Sequence, residues 1–402
     1  MNKFGQVLLG TALVVSFPAL AQLDPVRRDL IQLGYNQSFE GHAPFAGYAF
    51  YYHNQPDFLR TNLTLRLAVA PVYVDSELGF RGALGPNTDF ALGLAGGGFA
   101  DSYNEIRGGK FIPAESFDGD GGEISASIYH LFNPDDKIPL NLVLRGTAHY
   151  AAFSRNEDTA AGFQLPADRG EFLARAGLRW GGMEPTLFPP LAMELSLWYE
   201  GAFRTASGAY GFGGDRATQP SSHLFWATAA LSYTLPHSRQ NFSARLTAGA
   251  SVNADRFSAY RLGGFLPLVS EFPLTLPGYY FQEISARQFV LLNVNYLLPL
   301  DPRKQWNFDA NVSSAWVDYL PGEGQPGNWL NGVGGGLLWR SANNRFKIML
   351  DYAYGIDAIR SGGRGAHSVG ILIQWDLERA RTEKFTPPQP NRWRGWQWLF
   401  GG

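Results

Sequence analysis

The sequence contains no cysteine among its 402 residues. Disulfides, thiolate metal sites, iron–sulfur clusters and cysteine nucleophiles are therefore excluded. Charge is scarce too: Asp, Glu, Lys and Arg make up 17% of the chain, against about 25% in an average soluble domain. The formal net charge of −2 gives no electrostatic basis for binding nucleic acid. Beyond the N-terminus, no apolar run approaches the length a spanning helix needs. Metal-binding motifs are missing: the seven histidines, His42, His53, His130, His149, His223, His237 and His367, form no HExxH and no close pair. Asp118-Gly119-Asp120-Gly121-Gly122-Glu123 lacks the ligand spacing of an EF-hand and reads as a solvated external loop. The glycines of 332–336 lack the helix that follows a phosphate loop and read as a barrel bend. A barrel lipase would need His149 or His223 beside a serine of a neighbouring strand, and no Gly-x-Ser-x-Gly elbow occurs. The expectation is a protein without catalytic residues, metal or cofactor.

Aromatics, by contrast, reach 14%, too many for a disordered chain. Residues 1–21 read as a secretory signal peptide, with Lys3 as the positive end, Val7 to Phe17 as the apolar stretch and Ala19-Leu20-Ala21 as the cleavage site. The body then alternates with period two. Leu195, Leu197 and Tyr199 oppose Glu194, Ser196 and Glu200; Phe225, Ala227, Ala229 and Leu231 oppose Thr228 and Ser232; Ile348, Leu350 and Tyr352 oppose Lys347 and Asp351. Strands place successive side chains on opposite faces, so each stretch is a strand with one apolar and one polar face.

Fifteen such stretches run near 45–53, 62–72, 74–83, 88–99, 123–132, 139–153, 169–181, 189–203, 222–235, 240–252, 286–299, 306–318, 329–340, 344–356 and 366–376, with a weaker sixteenth near 31–39. Many match the roughly 9–11 residues of a tilted strand crossing a bilayer. Short turns alternate with long connections at 100–122, 154–168, 204–221, 253–285, 319–328 and 357–365. Tyr51-Tyr52, Trp180, Trp198-Tyr199, Trp226 and Trp316 suit interfacial girdles. The fold expected is all-β: a transmembrane antiparallel β-barrel of sixteen strands in the bacterial outer membrane. Its division is a signal peptide at 1–21, a short N-terminal segment at 22–44 holding at most a short plug or helical turn, a barrel at 45–376 and a Trp- and Pro-rich tail at 377–402. The tail reads as an interfacial anchor, with a strap into the lumen as the alternative.

The C-terminal half carries a resemblance. Arg261-Leu262-Gly263-Gly264, then Pro277-Gly278-Tyr279, then a strand ending in Leu298-Pro299-Leu300 resemble the bacterial surface antigen family of outer-membrane assembly factors and two-partner secretion barrels. The resemblance implies a sixteen-stranded barrel whose long loop folds into the lumen. It implies a loop-tip Arg paired with an acid on a lumen-facing strand; here Pro277 stands at the Arg position. The facing strand is matched to Asn311, Ser313 and Trp316, with Asn311 at the acid position. The family's periplasmic polypeptide-transport-associated domains have no counterpart before the first strand. Ser368, Gly370, Ile373 and Trp375 fit the C-terminal strand signal of outer-membrane barrels. The function implied is protein or lipid transport or assembly at the outer membrane, with a passive solute pore as the alternative and a barrel lipase third. The partners are outer-membrane lipid, other outer-membrane or periplasmic proteins, or a second copy of the chain.

Overall fold

The computed structural model describes residues 23–378 apart from 137, 183–185, 189–192, 236–237, 269 and 362. The expected signal peptide and nearly all of the tail lie outside the described residues.

Sixteen long strands form one antiparallel sheet that closes on itself. They are β1 (Arg28–Ser38), β2 (Gly47–Pro56), β3 (Leu63–Val69), β4 (Tyr73–Phe80), β5 (Thr88–Gly97), β6 (Asp118–Leu131), β7 (Leu140–Ser154) and β8 (Arg169–Gly181), followed by β9 (Met193–Arg204), β10 (Ser221–Thr234), β11 (Asn241–Val252), β12 (Ile284–Pro299), β13 (Trp306–Tyr319), β14 (Trp329–Arg340), β15 (Phe346–Arg360) and β16 (Gly363–Asp376). Each pairs with its neighbour in sequence. The seam is full-length: β16 returns to β1 from Leu30 opposite Asp376 to Ser38 opposite Ser368.

The alternation sorts the faces as expected. Leu195, Leu197, Phe225, Leu231, Leu246 and Leu350 lie exposed on the outside. Glu77, Glu194, Thr228, Asp309 and Asp351 are buried on the inside. An apolar exterior suits lipid, and closure leaves no strand edge with unpaired backbone groups.

Four sequence expectations are corrected. The barrel starts at Arg28 rather than 45, so β1 takes up much of the segment set apart at 22–44. Inward Leu30 and outward Gln37 blur its alternation. The described residues before it, 23–27, form no helix; Leu23 turns inward against Gly79, and Asn54 donates to the carbonyls of Asp24 and Val26 at 2.9 and 2.8 Å. Asp118–Glu123 is strand, not loop, and pairs with β7. The long connection at 357–365 is absent, because β15 runs on past an irregularity between Gly355 and Ile359 to a tight turn before β16. Such bulges break the period-two pattern that marks a strand in sequence. Finally, Trp198 and Trp226 face the lumen rather than a membrane girdle, each sharing its inward row with Ser196 or Thr228.

The connections after β2, β4, β6, β8, β10, β12 and β14 share one end with both described termini. The other end carries most of the long loops, including those at 98–117, 155–168, 205–220, 253–283 and 320–328. The seam register is open to a direct check, since the chain has no cysteine of its own. Leu33 and Ile373 are partners across the β1–β16 seam. A Leu33→Cys/Ile373→Cys variant is expected to form an intramolecular disulfide on mild oxidation, read as a mobility change on non-reducing gels. The slipped pair Leu33→Cys/Leu372→Cys points to opposite faces and is expected to stay reduced.

Candidate functional site

The loop between β11 and β12 does not stay outside. Tyr260–Leu262 pairs with the start of β12, Ile284–Ala286, as a short inner strand. Gly263 N–H donates to the Leu274 carbonyl and Leu276 N–H to the Gly264 carbonyl, both at 3.0 Å. Residues 265–275 are thereby thrown across the lumen as a closed excursion. Phe265 lies against Gly370 of β16, whose missing side chain makes the room. On the opposite wall, the Glu271 carboxylate meets Arg175 of β8 at 3.0 Å and Arg179 at 3.3 Å. Arg175 is itself fixed by Glu200 of β9 at 2.7 Å. Phe272 sits edge-on to Trp198 and Trp226, with ring centroids 4.9 and 5.0 Å away. We call residues 265–275 the arm.

The return half of the loop is anchored differently. Leu276 and Tyr279 are fully buried in a core with Leu262, Ile284, Leu291, Val317 and Leu330. The Pro277 carbonyl presses on Gly332 of β14. Gly278 has φ +85° and lies so close to Gly355 of β15 that a Cβ would stand 1.8 Å from its nitrogen, so only glycine fits. The Asn293 amide joins the Thr275 carbonyl (2.9 Å) to Ser313 Oγ (2.7 Å). At the end of the tip, Arg360 grips the Glu283 carboxylate with two bonds of 2.9 and 2.8 Å and lies 3.6 Å over the Tyr280 ring. Tyr280 in turn donates to the Glu40 carbonyl of the β1–β2 connection at 2.8 Å.

The two attachments differ in strength. Glu271 is half exposed to the lumen, so its ion pairs contribute no more than about 1 kcal/mol each. The Phe272 contacts add about 0.5–1.5 kcal/mol per aromatic pair beyond area burial. Glu283 and Arg360 are buried, and breaking one side of such a pair costs about 3–5 kcal/mol. The tip is a fixed anchor and the arm a releasable one.

The residues singled out in sequence are partly assembled here. Arg261, Leu262, Gly263 and Gly264 open the excursion; Pro277, Gly278 and Tyr279 form the tip. Ser313 reaches the loop through Asn293. Asn311 does not meet Pro277: its amide faces Asp351 at 3.4–3.5 Å, and the lumen-facing carboxylate on β13 is Asp309, buried two residues earlier. Trp316 takes the outer face, an odd number of positions from Asn311. On β16, Ser368 and Gly370 point inward while Trp375 stacks on Phe346 outside, with Ile373 in the same outer row. His149 lies between Asp101 (3.1 Å) and Glu123 (3.5 Å). His223 accepts or donates with the Tyr199 hydroxyl at 2.9 Å. Neither histidine is hydrogen-bonded to a serine among the described residues. Sequence reading passed over Arg175 and Arg179 and assigned Trp198 and Trp226 to a girdle; a signal existed, since both tryptophans fall on the polar row of their strands.

At the long-loop end the loops pack together as a dome. Tyr103, Phe117, Phe163 and Tyr210 form its buried core, with Phe153 and Phe257 packed against it. Glu105 receives Arg107 at 2.9 Å and Arg216 and Arg256 at 3.3 Å, and Arg256 continues to Glu323 at 2.5 Å. Arg261 ties the inward loop to this dome through the Asn104 carbonyl at 3.1 Å and the Tyr103 ring.

Solved structures share this architecture. BamA from Haemophilus ducreyi lacking POTRA domains 1–3 matches with a TM-score of 0.53 at 11% identity, over 86% of this chain and 70% of that one. At this identity the likeness is one of fold. CdiB from Escherichia coli matches with a TM-score of 0.56 at 10% identity, over 87% of this chain and 63% of that one. CdiB from Acinetobacter baumannii gives 0.53 at 10% identity, over 87% and 60%. The chain thus spans less than two thirds of the length of either CdiB. No family model and no curated protein matches the sequence.

Two outcomes follow. Arg360→Met alone strands Glu283 and is expected to lower stability by about 3–5 kcal/mol, whereas Glu283→Leu/Arg360→Met together recover most of it. The temperature at which the folded, fast-migrating gel band disappears reads this. In the dome, burial and the nearby Glu105 carboxylate push the Glu323 carboxyl up to about 7 against the pull of Arg256. An acid raised above its unfolded value of 4.5 binds protons more tightly in the fold, so it weakens the dome as pH rises from about 4.5 to about 7. Proteolysis of the long loops is expected to be slower at pH 5 than at pH 8, and Glu323→Gln to flatten that difference.

Proposed function

We propose that this chain is a bacterial outer-membrane barrel that transports or assembles polypeptide or lipid at that membrane, with residues 253–283 as its internal gate. The long-loop end faces the outside, the short turns face the periplasm, and the working partners are other envelope proteins and outer-membrane lipid. The reading assigns the barrel no catalytic step. The observation that carries it is the loop: a covalently tethered arm crosses the lumen, fixed at its tip and weakly held on the opposite wall. A hold of a few kcal/mol keeps the displaced state minor but reachable. The family resemblance and the shared fold support the same reading.

A passive solute pore would need a standing opening, and the arm lies across the lumen that would have to provide it. Planar-bilayer recording separates the two. The native chain is expected to stay closed with rare brief openings, and deletion of 265–275 to give long-lived open steps. Steady conductance from the native chain, unchanged by that deletion, would support the pore instead. In cells, the same deletion is expected to alter envelope protein or lipid composition.

A further inference from the structure

The arm's contact with the far wall has more chemistry than a plug requires. Glu271 is shared by two arginines while the next residue, Phe272, enters an aromatic clamp. Both tryptophans of the clamp are buried, at 2% and 7% exposure. Their indole N–H groups have no acceptor among the described residues. A buried donor left unmet costs about 1–3 kcal/mol, and the Phe272 ring has no acceptor atom to offer. The wall is thus built for an occupant that satisfies more of it than the chain's own loop does.

We infer that Arg175, Arg179, Trp198 and Trp226 form a binding site for an irregular, non-helical polypeptide segment in which an acidic residue directly precedes an aromatic one, and that Glu271–Phe272 fills it as an internal stand-in. This rests on the gated-barrel reading above and narrows its cargo to polypeptide. The two arginines are arranged before any ligand arrives: Glu200 holds Arg175, and the Arg179 guanidinium lies 5.1 Å over the Trp198 ring. Such preorganisation lowers the ordering cost of binding. The acid and ring subsites are filled by adjacent residues of an irregular, non-helical stretch that bends at 270–272, so the spacing matches a bent main chain. A tyrosine in place of the phenylalanine, or a carbonyl turned toward the indoles, supplies the missing acceptor. A glycan would need a free flat indole face; here the two indoles lie nearly parallel at 9° and the bound ring meets them at 63° and 70°. Since the stand-in leaves two donors unmet, a better occupant displaces the arm, which couples cargo recognition to opening.

The test uses the full chain in detergent and the fluorescently labelled peptide Ser-Glu-Tyr-Pro-Leu, read by anisotropy and by the emission of the lumen tryptophans. Phe272→Ala empties the clamp and is expected to tighten binding by about tenfold or more over the native chain. Glu271→Ala serves the same purpose if Phe272→Ala fails to fold. Arg175→Gln on either background is expected to lose that gain. The peptides Ser-Gln-Tyr-Pro-Leu and Ser-Glu-Ala-Pro-Leu are expected to bind at least about tenfold more weakly. Equal binding of all three peptides, no binding at millimolar peptide, or preference for hexagalacturonate would overturn the inference. Conductance on the same preparations separates it from the reading beneath it. Opening by Phe272→Ala without selective peptide binding overturns the cargo site and leaves the gate. Selective binding without any opening supports the site and overturns the gate.

Discussion

Lipid offers no hydrogen bonds, and that single fact constrains the whole molecule. Every outward stretch of backbone must be paired by a neighbouring strand, which forces the sheet to close from β16 onto β1. Closure with sixteen strands creates a second demand. A barrel of eight strands is just wide enough for its own side chains to fill, and a wider one encloses space. Here inward-facing rows fill part of that space with paired charges such as Arg145 with Glu77 and Arg66 with Asp75. Chain enters the same space: residues 253–283 lie in the lumen and touch its walls on both sides.

How that loop is held decides what it can do. Its return half is built like a protein core, with buried leucines, a tyrosine and a sealed ion pair at Glu283–Arg360. Its arm is held by a half-exposed carboxylate and one phenylalanine. The arm is therefore the more weakly held part of the loop, and the tip the more firmly held. The dome sits above this arrangement and is tied to it by Arg261.

The tip departs from the pattern its sequence resembles. With Pro277 where the resemblance implies an arginine, no cation reaches from the tip to β13. The tip is seated instead by backbone against backbone, on Gly332 and Gly355, and by apolar burial. Asp309 keeps a carboxylate on the lumen face without a loop arginine to meet it. The guanidinium that locks this loop comes from the barrel wall at Arg360, and the acid comes from the loop, the reverse of the implied arrangement.

Period-two patterning was enough to determine that the chain is a barrel, which rows face lipid, and nearly where each strand lies, because alternation is a local property of pleated backbone. Resemblance around Leu262-Gly263-Gly264 and Gly278 also marked the loop that turns inward. Patterning was weak in β1, found only as a faint stretch near 31–39, and failed at the bulge of β15 and where an aromatic on a polar row was read as a girdle residue. Only the tertiary structure decided what the loop touches. Glu271 and Arg175 are 96 positions apart, and Glu283 and Arg360 are 77. Such pairs meet because closure carries distant strands to facing walls of one lumen, and no local feature of a sequence encodes the distance across a cylinder.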